Sequence, residues 1–421
     1  MNQNLGGKMK KLLIAASALA LATSAITFSA APVPEKNANI TIWETSGPEG
    51  QFIQYAAQQF EKQFAAYNVH IKYVPQFAAT SVPKMETAVQ TGAAAPDLIV
   101  FMSDRLGEAL NAGIIAPDTV NPQIIQKNFL PAAVQAATGP DGKIYGFPLS
   151  VQTYALYYNK KYFPNGVTDF SQIMQFSKTF NNPANNQYAL FFDVANFYYD
   201  AAFFQMYGAN VFGMEGSKYD PNKLQINSPA GIKGIEALVS LKPASIGQVG
   251  TTTATNMMTM FGQGKIATMI DGSWDVQHAK DTGVNFGICP LPTLNGQHLI
   301  SYSGIRLIGV NPNTKYPMAS EIFAAFCTSP AMEKARFQIV GETPAITELA
   351  DSPAIMNTEY AGAFSVQAKY SKPMPNISAM AAVWPPMAAA VADAWNGNTT
   401  VTNAMNNAQK VITQQIQMTS K

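Results

Sequence analysis

Pro96-Asp97-Leu98-Ile99-Val100-Phe101-Met102-Ser103-Asp104-Arg105-Leu106-Gly107 is the stretch that decides the fold. Four consecutive apolar residues, Leu98 to Phe101, suit a strand covered on both faces, the kind found in α/β sheets. The polar turn that follows leads directly into a helix, which places Asp104 and Arg105 at the carboxyl end of the strand. In open α/β sheets ligands bind at that end. An aromatic ring (Phe101), a carboxylate and a guanidinium together match the chemistry that holds a sugar: the ring stacks on a sugar face and the charged groups bond to hydroxyls in pairs. The plainer alternative is Asp104 as a helix cap beside a surface Arg105.

Working outward, the elements alternate. Ile40-Thr41-Ile42-Trp43 reads as a first strand. Ser46-Gly47-Pro48-Glu49 has the form of a capping box, with Ser46 at the cap and Glu49 three residues on. The following helix carries Phe52, Ala56, Phe60 and Phe64 on one stripe. Val69 to Val74 is a second strand, and Ser81-Val82-Pro83-Lys84 opens a second helix with Met85, Ala88 and Val89 inward. Strand and helix in alternation predict a parallel βαβ sheet. After Gly113 the chain reads as helix-poor. Val151 to Asn159 reads as one strand passing between two domains. A second α/β unit follows, with a helix after Asn227-Ser228-Pro229, proline taking the first helical position. Leu299 to Val310 reads as a strand again, and helices dominate from Pro317. No Gly- or Ser-rich tether separates the halves, so strands are expected to join them.

The N-terminus reads as an export signal. Lys8, Lys10 and Lys11 precede the apolar stretch Leu12 to Phe28, and the small residues Ser29-Ala30-Ala31 follow. A membrane anchor is the competing reading, disfavoured by Ser17, Thr23, Ser24 and Thr27 inside a short stretch. No cysteine near that site offers a lipid anchor. Loss of the three lysines takes the net charge from +1 to −2, since no acid precedes Glu35. No basic face for nucleic acid is indicated. Of the 421 residues, about 390 would remain, more than one ordinary core holds, so two domains are expected. Charged residues are only 13%. An acidic habitat and genome composition bias are alternative readings of that. The two cysteines, Cys289 and Cys327, and three scattered histidines lack metal-ligand spacing.

Four motifs in order carry a resemblance. They are Phe101 to Gly107; Phe147-Pro148-Leu149 with Tyr157-Tyr158-Asn159-Lys160; Phe261-Gly262-Gln263-Gly264-Lys265 through Ser273-Trp274; and Met374-Pro375-Asn376-Ile377 with Trp384 beyond. From about Asn39 to Gln415 the chain resembles the solute-binding proteins of ABC sugar importers, family 1, and most of all the maltose/maltodextrin-binding type. The resemblance implies a two-lobed α/β periplasmic-binding-protein fold (type II), with a hinge of crossing strands and a ligand cleft between the lobes. It implies a signal peptide over 1–31, a first lobe from 38–149 and 298–350, and a second from 150–297 and 351–421. It implies a monomer that binds a malto-oligosaccharide or a related glucose-based oligosaccharide and presents it to membrane permease subunits, with no cofactor. Phe101, Asp104, Arg105, Gln152, Asn196, Tyr198, Tyr199, Trp274 and Trp384 are the implied ligand residues. Trp274 and Trp384 as core tryptophans is the alternative for that pair.

The sequence also departs from the pattern. Gln152 and Asn196 stand where the family has Glu, the paired Glu near Thr80 and Ser81 is missing, and the Asp-Lys pair near Gly47 and Pro48 is replaced. A subsite rebuilt with neutral groups is expected there. Tandem tyrosines also occur in ferric-ion-binding proteins of the same fold, but iron wants hard anionic ligands and no obvious clustered partner is present. A secreted carbohydrate-active enzyme would need two carboxylates across the scissile bond. Asp104 offers one, while the matching Glu positions are amides or hydroxyls. By the family's domain order Cys289 falls in the second lobe and Cys327 in the first, so two free buried thiols are expected.

Overall fold

The computed structural model describes residues 32–215, 218–245 and 254–419, so the expected signal over 1–31 lies outside the described residues. Val33 to Lys421 form one compact unit. In chain order the strands are β1 (Asn39–Glu44), β2 (His70–Pro75), β3 (Leu98–Met102), β4 (Phe147–Gln152), β5 (Tyr154–Asn159), β6 (Tyr188–Phe191), β7 (Phe212–Glu215), β8 (Lys218–Leu224), β9 (Ile266–Gly272), β10 (Phe286–Cys289), β11 (Ser301–Val310) and β12 (Ser371–Pro373). They build two main sheets. In the first the order is β12-β11-β3-β1-β2, with β4 sharing an edge of β11. In the second the order is β10-β5-β9-β6, and β7 with β8 forms a separate hairpin.

The alternating pattern of the first hundred residues is realised as read. β1 pairs in parallel with both β2 and β3. Leu98, Ile99, Val100 and Phe101 have no exposed surface at all, so both faces of β3 are covered. At ~1.5–3 kcal/mol for each fully buried large apolar side chain, this strand anchors the first core. The helix Pro48–Gln63 buries Phe52, Ala56 and Phe60 against it. The helix Ser81–Thr91 buries Met85 and Ala88, but Val89 is turned to solvent.

Several local expectations are corrected. The capping box does not form: Gly47 is the cap, with φ 86° and ψ −144°, and Pro48 takes the first helical position. Proline suits that position because its missing N–H would be unsatisfied there anyway. The stretch after Gly113 is not helix-poor; Pro122–Asn128 and Pro131–Ala137 are short helices, each opened by its proline. The helix Pro229–Val239 starts where expected, with Ser228 Oγ accepting from Gly231 N.

Val151 to Asn159 is two strands, not one. β4 pairs with β11 in the first sheet and β5 pairs with β9 and β10 in the second. The break falls at Thr153, whose hydroxyl bonds to Ser301 Oγ at 2.8 Å and donates to the Tyr302 carbonyl at 3.0 Å. One chain passage therefore leaves one sheet and enters the other beside a second passage. Leu291, Leu294 and Leu299 belong to the second core, while Ile305, Leu307 and Ile308 belong to the first. A third passage runs past Glu342 and Thr343, where Val151 bridges Thr343. Cys289 packs against the second core and Cys327 lies within the first; both are free thiols, Cys289 half-buried.

Candidate functional site: a cleft at the carboxyl ends of two sheets

A cleft of about 810 Å³ lies where the carboxyl ends of both sheets meet, within the size range of small-ligand sites. From the first sheet it receives Thr45 and Glu49 after β1, Phe77 to Ala79 after β2, and Met102, Asp104 and Arg105 at the end of β3. From the second it receives Asp193 and Ala195 to Tyr198 after β6 and Trp274 after β9. Gln152 at the passage between the sheets, Arg306 of β11, and Met374, Trp384, Pro385 and Ala388 complete the lining.

Trp274 sits on a short 3-10 turn, Ser273–Asp275, and is 38% exposed. Its indole folds back over Gly272, where an added Cβ would meet the ring at 2.1 Å. Gly272 has an ordinary φ of −88°, so the ring and not the backbone requires glycine there. Trp274 approaches Tyr198 at 6.1 Å between centroids, Tyr198 stacks with Tyr302 at 6.5 Å, and Tyr302 meets Trp384 edge-on at 6.1 Å. All three spacings are those of interacting aromatic pairs. The result is a row of four rings, with Tyr198 and buried Tyr302 between the two tryptophans.

Of the residues expected at the site, Asp104, Arg105, Gln152, Asn196, Tyr198, Trp274 and Trp384 line this cleft. Phe101 and Tyr199 do not. Phe101 is fully buried in the first core and packs over Gly309; on a strand the next residue faces the other way, so Met102 reaches the cleft instead. Tyr199 lies behind Tyr198, its hydroxyl donating to Asp271 Oδ1 at 3.1 Å. Neighbours on a helix point about 100° apart, so a tandem pair cannot share one face. Asn196 caps the helix Phe197–Gln205, accepting from Tyr198 N and donating to Asp193 Oδ2 at 2.9 Å. The preceding Ala195 holds φ at 71°, a strained value for a residue with a side chain, and its N–H donates to buried Asp200.

The electrostatics depart from the expected neutral subsite. Arg306, only 5% exposed, is met by Glu44 at 3.0 Å, Glu49 at 3.5 Å and Glu342 at 3.5 Å, with Thr45 Oγ1 at 2.9 Å. Glu342 also pairs with Arg336 at 2.7 Å and accepts from Ser150 and Gln152. Burial alone would raise the Glu342 carboxyl, but Arg336, Arg306 and the Ser150 hydroxyl bring it down to about 2. Burial raises Glu49, with Glu342 and Glu44 adding to the effect against Arg306. Arg105 turns to Glu108 at 2.7 Å rather than to Asp104. Burial, only partly offset by Arg105, pushes the Asp104 carboxyl up to about 6. Both guanidiniums lining the cleft are thus neutralised by carboxylates of the protein itself.

Glu49, Arg306, Asp193, Phe77, Met102 and Met374 were not anticipated at the site. One signal was present: Arg306 is the single charge in Leu299 to Val310, and a charge in a buried strand must be paired. Among the described residues no three metal-ligating side chains gather to hold an ion.

A cleft between two α/β sheets joined by crossing strands, floored with aromatic rings and edged with hydroxyl-pairing groups, defines a binding protein of the two-lobed α/β class. Residues 55–363 match the family of bacterial extracellular solute-binding proteins, and the chain belongs to that family. It is 28% identical over 402 residues to the galactooligosaccharide-binding protein of Bacillus subtilis (strain 168), spanning 92% of each chain. It is 29% identical over 384 residues to a maltooligosaccharide ABC transporter solute-binding lipoprotein of Streptococcus pneumoniae, spanning 90% of this chain and 88% of that one. Its structure superimposes on a cyclo/maltodextrin-binding protein complexed with maltotetraose with a TM-score of 0.83 at 28% identity, covering 91% of this chain and 98% of that one. The two-lobed fold and the family inferred from the four sequence motifs are borne out by these likenesses.

Proposed function

We propose that this protein is the substrate-binding component of an ABC carbohydrate importer and binds a malto-oligosaccharide or a related glucose-based oligosaccharide. The rings of Trp274, Tyr198 and Trp384, which line the cleft with buried Tyr302 behind them, carry this reading. Pyranose faces are apolar and stack on such rings, while Asp104, Asp193 and Glu49 accept hydroxyl protons at their edges. The maltodextrin and maltooligosaccharide names of its relatives support the same class. A galacto-oligosaccharide is the second reading, favoured by the Bacillus relative. Binding without turnover belongs to this reading: a glycosidase needs two carboxylates facing each other across the scissile bond, and Glu44, Glu49 and Glu342 are instead engaged with Arg306.

Closure of the lobes about Thr153, the start of β11 and the passage near Glu342 would present the sugar to permease subunits; ligand shifts the open–closed equilibrium only as far as it binds the closed form better. The moving bodies in this reading are the lobes expected at 38–149 with 298–350 and at 150–297 with 351–421, with the first boundary moved to Thr153 and the second to the start of β11, because β4 pairs in the first sheet as far as Gln152 and Leu299 packs in the second core. Export by a cleaved signal over 1–31 and action as a monomer belong to the same proposal. Among the described residues no helix is long and apolar enough to cross a membrane. Calorimetry against maltose, maltotriose, maltotetraose, galacto-oligosaccharides and glycerol 3-phosphate tests the function. Heat with a neutral oligosaccharide and none with the phosphate is expected; no heat with any oligosaccharide refutes it.

A further inference from the structure

We propose that the binding cleft does not end at Trp274 but continues into a second chamber that takes additional sugar units of the same oligosaccharide, an inference that rests on the carbohydrate reading above. A groove of about 660 Å³ lies beyond Trp274, comparable in size to the cleft itself. Trp274 and Glu49 line both spaces, so the two adjoin at those residues. On one side the groove is bounded by the end of the helix Pro330–Val340, which supplies Phe337 and Gln338. On the other it is bounded by Thr358, Glu359 and Tyr360 before the helix Ala361–Ala368.

The lining has the composition of a sugar site. Tyr360 is held rigid, stacked on Phe286 at 4.8 Å and 9° with Lys280 5.3 Å from its ring centroid. An immobilised ring loses little entropy when a ligand docks beside it. Gln277, Gln338 and Glu359 offer amide and carboxylate partners for hydroxyls. At the junction, Ser273 Oγ is buried and has no hydrogen-bond partner in the protein. Such a group costs free energy unless something bonds to it, and a hydroxyl of a chain passing Trp274 would do so. The fold carries the groove without needing it for packing, since Gln338 and Glu359 are exposed.

The test is chain-length dependence of affinity, read by calorimetry with maltotriose, maltopentaose and maltoheptaose, and with galacto-oligosaccharides of matching lengths. The wild type is expected to bind the seven-unit chain about tenfold more tightly than the three-unit chain, equivalent to ~1.4 kcal/mol. Gln338→Trp and Thr358→Trp, which fill the groove from opposite walls, should abolish that gain while leaving the three-unit affinity within about twofold. Ser273→Ala should reduce the gain several-fold. A length gain that survives both tryptophan variants, or a wild type with no gain, overturns the second chamber while leaving the carbohydrate function intact. No binding of any oligosaccharide overturns both.

Discussion

Replacing Glu342 by Gln removes the carboxylate at the centre of the buried ionic network without changing its volume. The structure sets the magnitude in two ways. Lowering a carboxyl from its ordinary value near 4.5 to about 2 corresponds to about 3 kcal/mol of stability at neutral pH. Breaking a buried ion pair by removing one partner costs about 3–5 kcal/mol, because the other charge is left uncompensated. Here the residue left behind is Arg336, almost fully buried and 2.7 Å from Glu342, whereas Arg306 keeps Glu44 and Glu49. Both routes give a loss of about 3 kcal/mol or more for Glu342→Gln at pH 7. The pH dependence has a definite sign. A carboxyl whose folded value is depressed stabilises the protein above its unfolded value and loses that contribution as pH falls through the folded value. The gap between wild type and variant should therefore be full above about pH 4.5 and narrow progressively toward pH 2. Urea unfolding followed by tryptophan fluorescence at pH 7, 4.5 and 3 measures it. A variant within about 0.5 kcal/mol of wild type at pH 7, or a gap that does not narrow on acidification, would refute the reasoning.

Trp274→Ala should weaken oligosaccharide binding by ~1–3 kcal/mol with little change in stability, since the ring is exposed on a turn. Trp384→Ala should cost a similar amount of binding and also lower the unfolding midpoint, because its ring packs on Phe197 and Tyr302; calorimetry and thermal unfolding separate the two effects. With the Asp104 carboxyl near 6, affinity should fall between pH 7.5 and 5 as it takes up a proton and loses an acceptor lone pair, and Asp104→Asn should flatten that profile in calorimetric titrations. Burial raises the Cys289 thiol to about 11 and the Cys327 thiol further, so alkylation at pH 8 should be slow in the native protein and rapid at two sites in urea. A Cys289–Cys327 linked peptide in unreduced mass spectrometry would contradict the placement of these residues in different cores.

The backbone plan was legible where periodicity is strong. Leu98 to Phe101 suited a strand covered on both faces, which is what forms, and the stripe Phe52, Ala56, Phe60 marked the first helix. The split at Thr153 was not legible, because β4 and β5 are both apolar and only tertiary pairing tells which sheet each joins. At the site, residue type was easier to read than direction. Phe101 and Tyr199 are the right kinds of side chain one position from Met102 and Tyr198, which reach the cleft. The charged floor was hidden for a different reason. Arg306 and its partners Glu44, Glu49 and Glu342 come from remote parts of the chain, so no local motif announces them. Glu49 in particular fitted a capping box until Pro48 was seen to displace it.

The account turns on where a sugar sits. A crystal structure of the protein grown with maltotetraose tests that most directly, with the galacto-oligosaccharide of the same length as the second ligand. The predicted result is a chain of pyranose rings in van der Waals contact with Trp274, Tyr198 and Trp384, with hydroxyls within hydrogen-bond distance of Asp104 and Glu49. Sugar bound away from those rings, or an empty cleft at ligand concentrations where calorimetry shows binding, would contradict it.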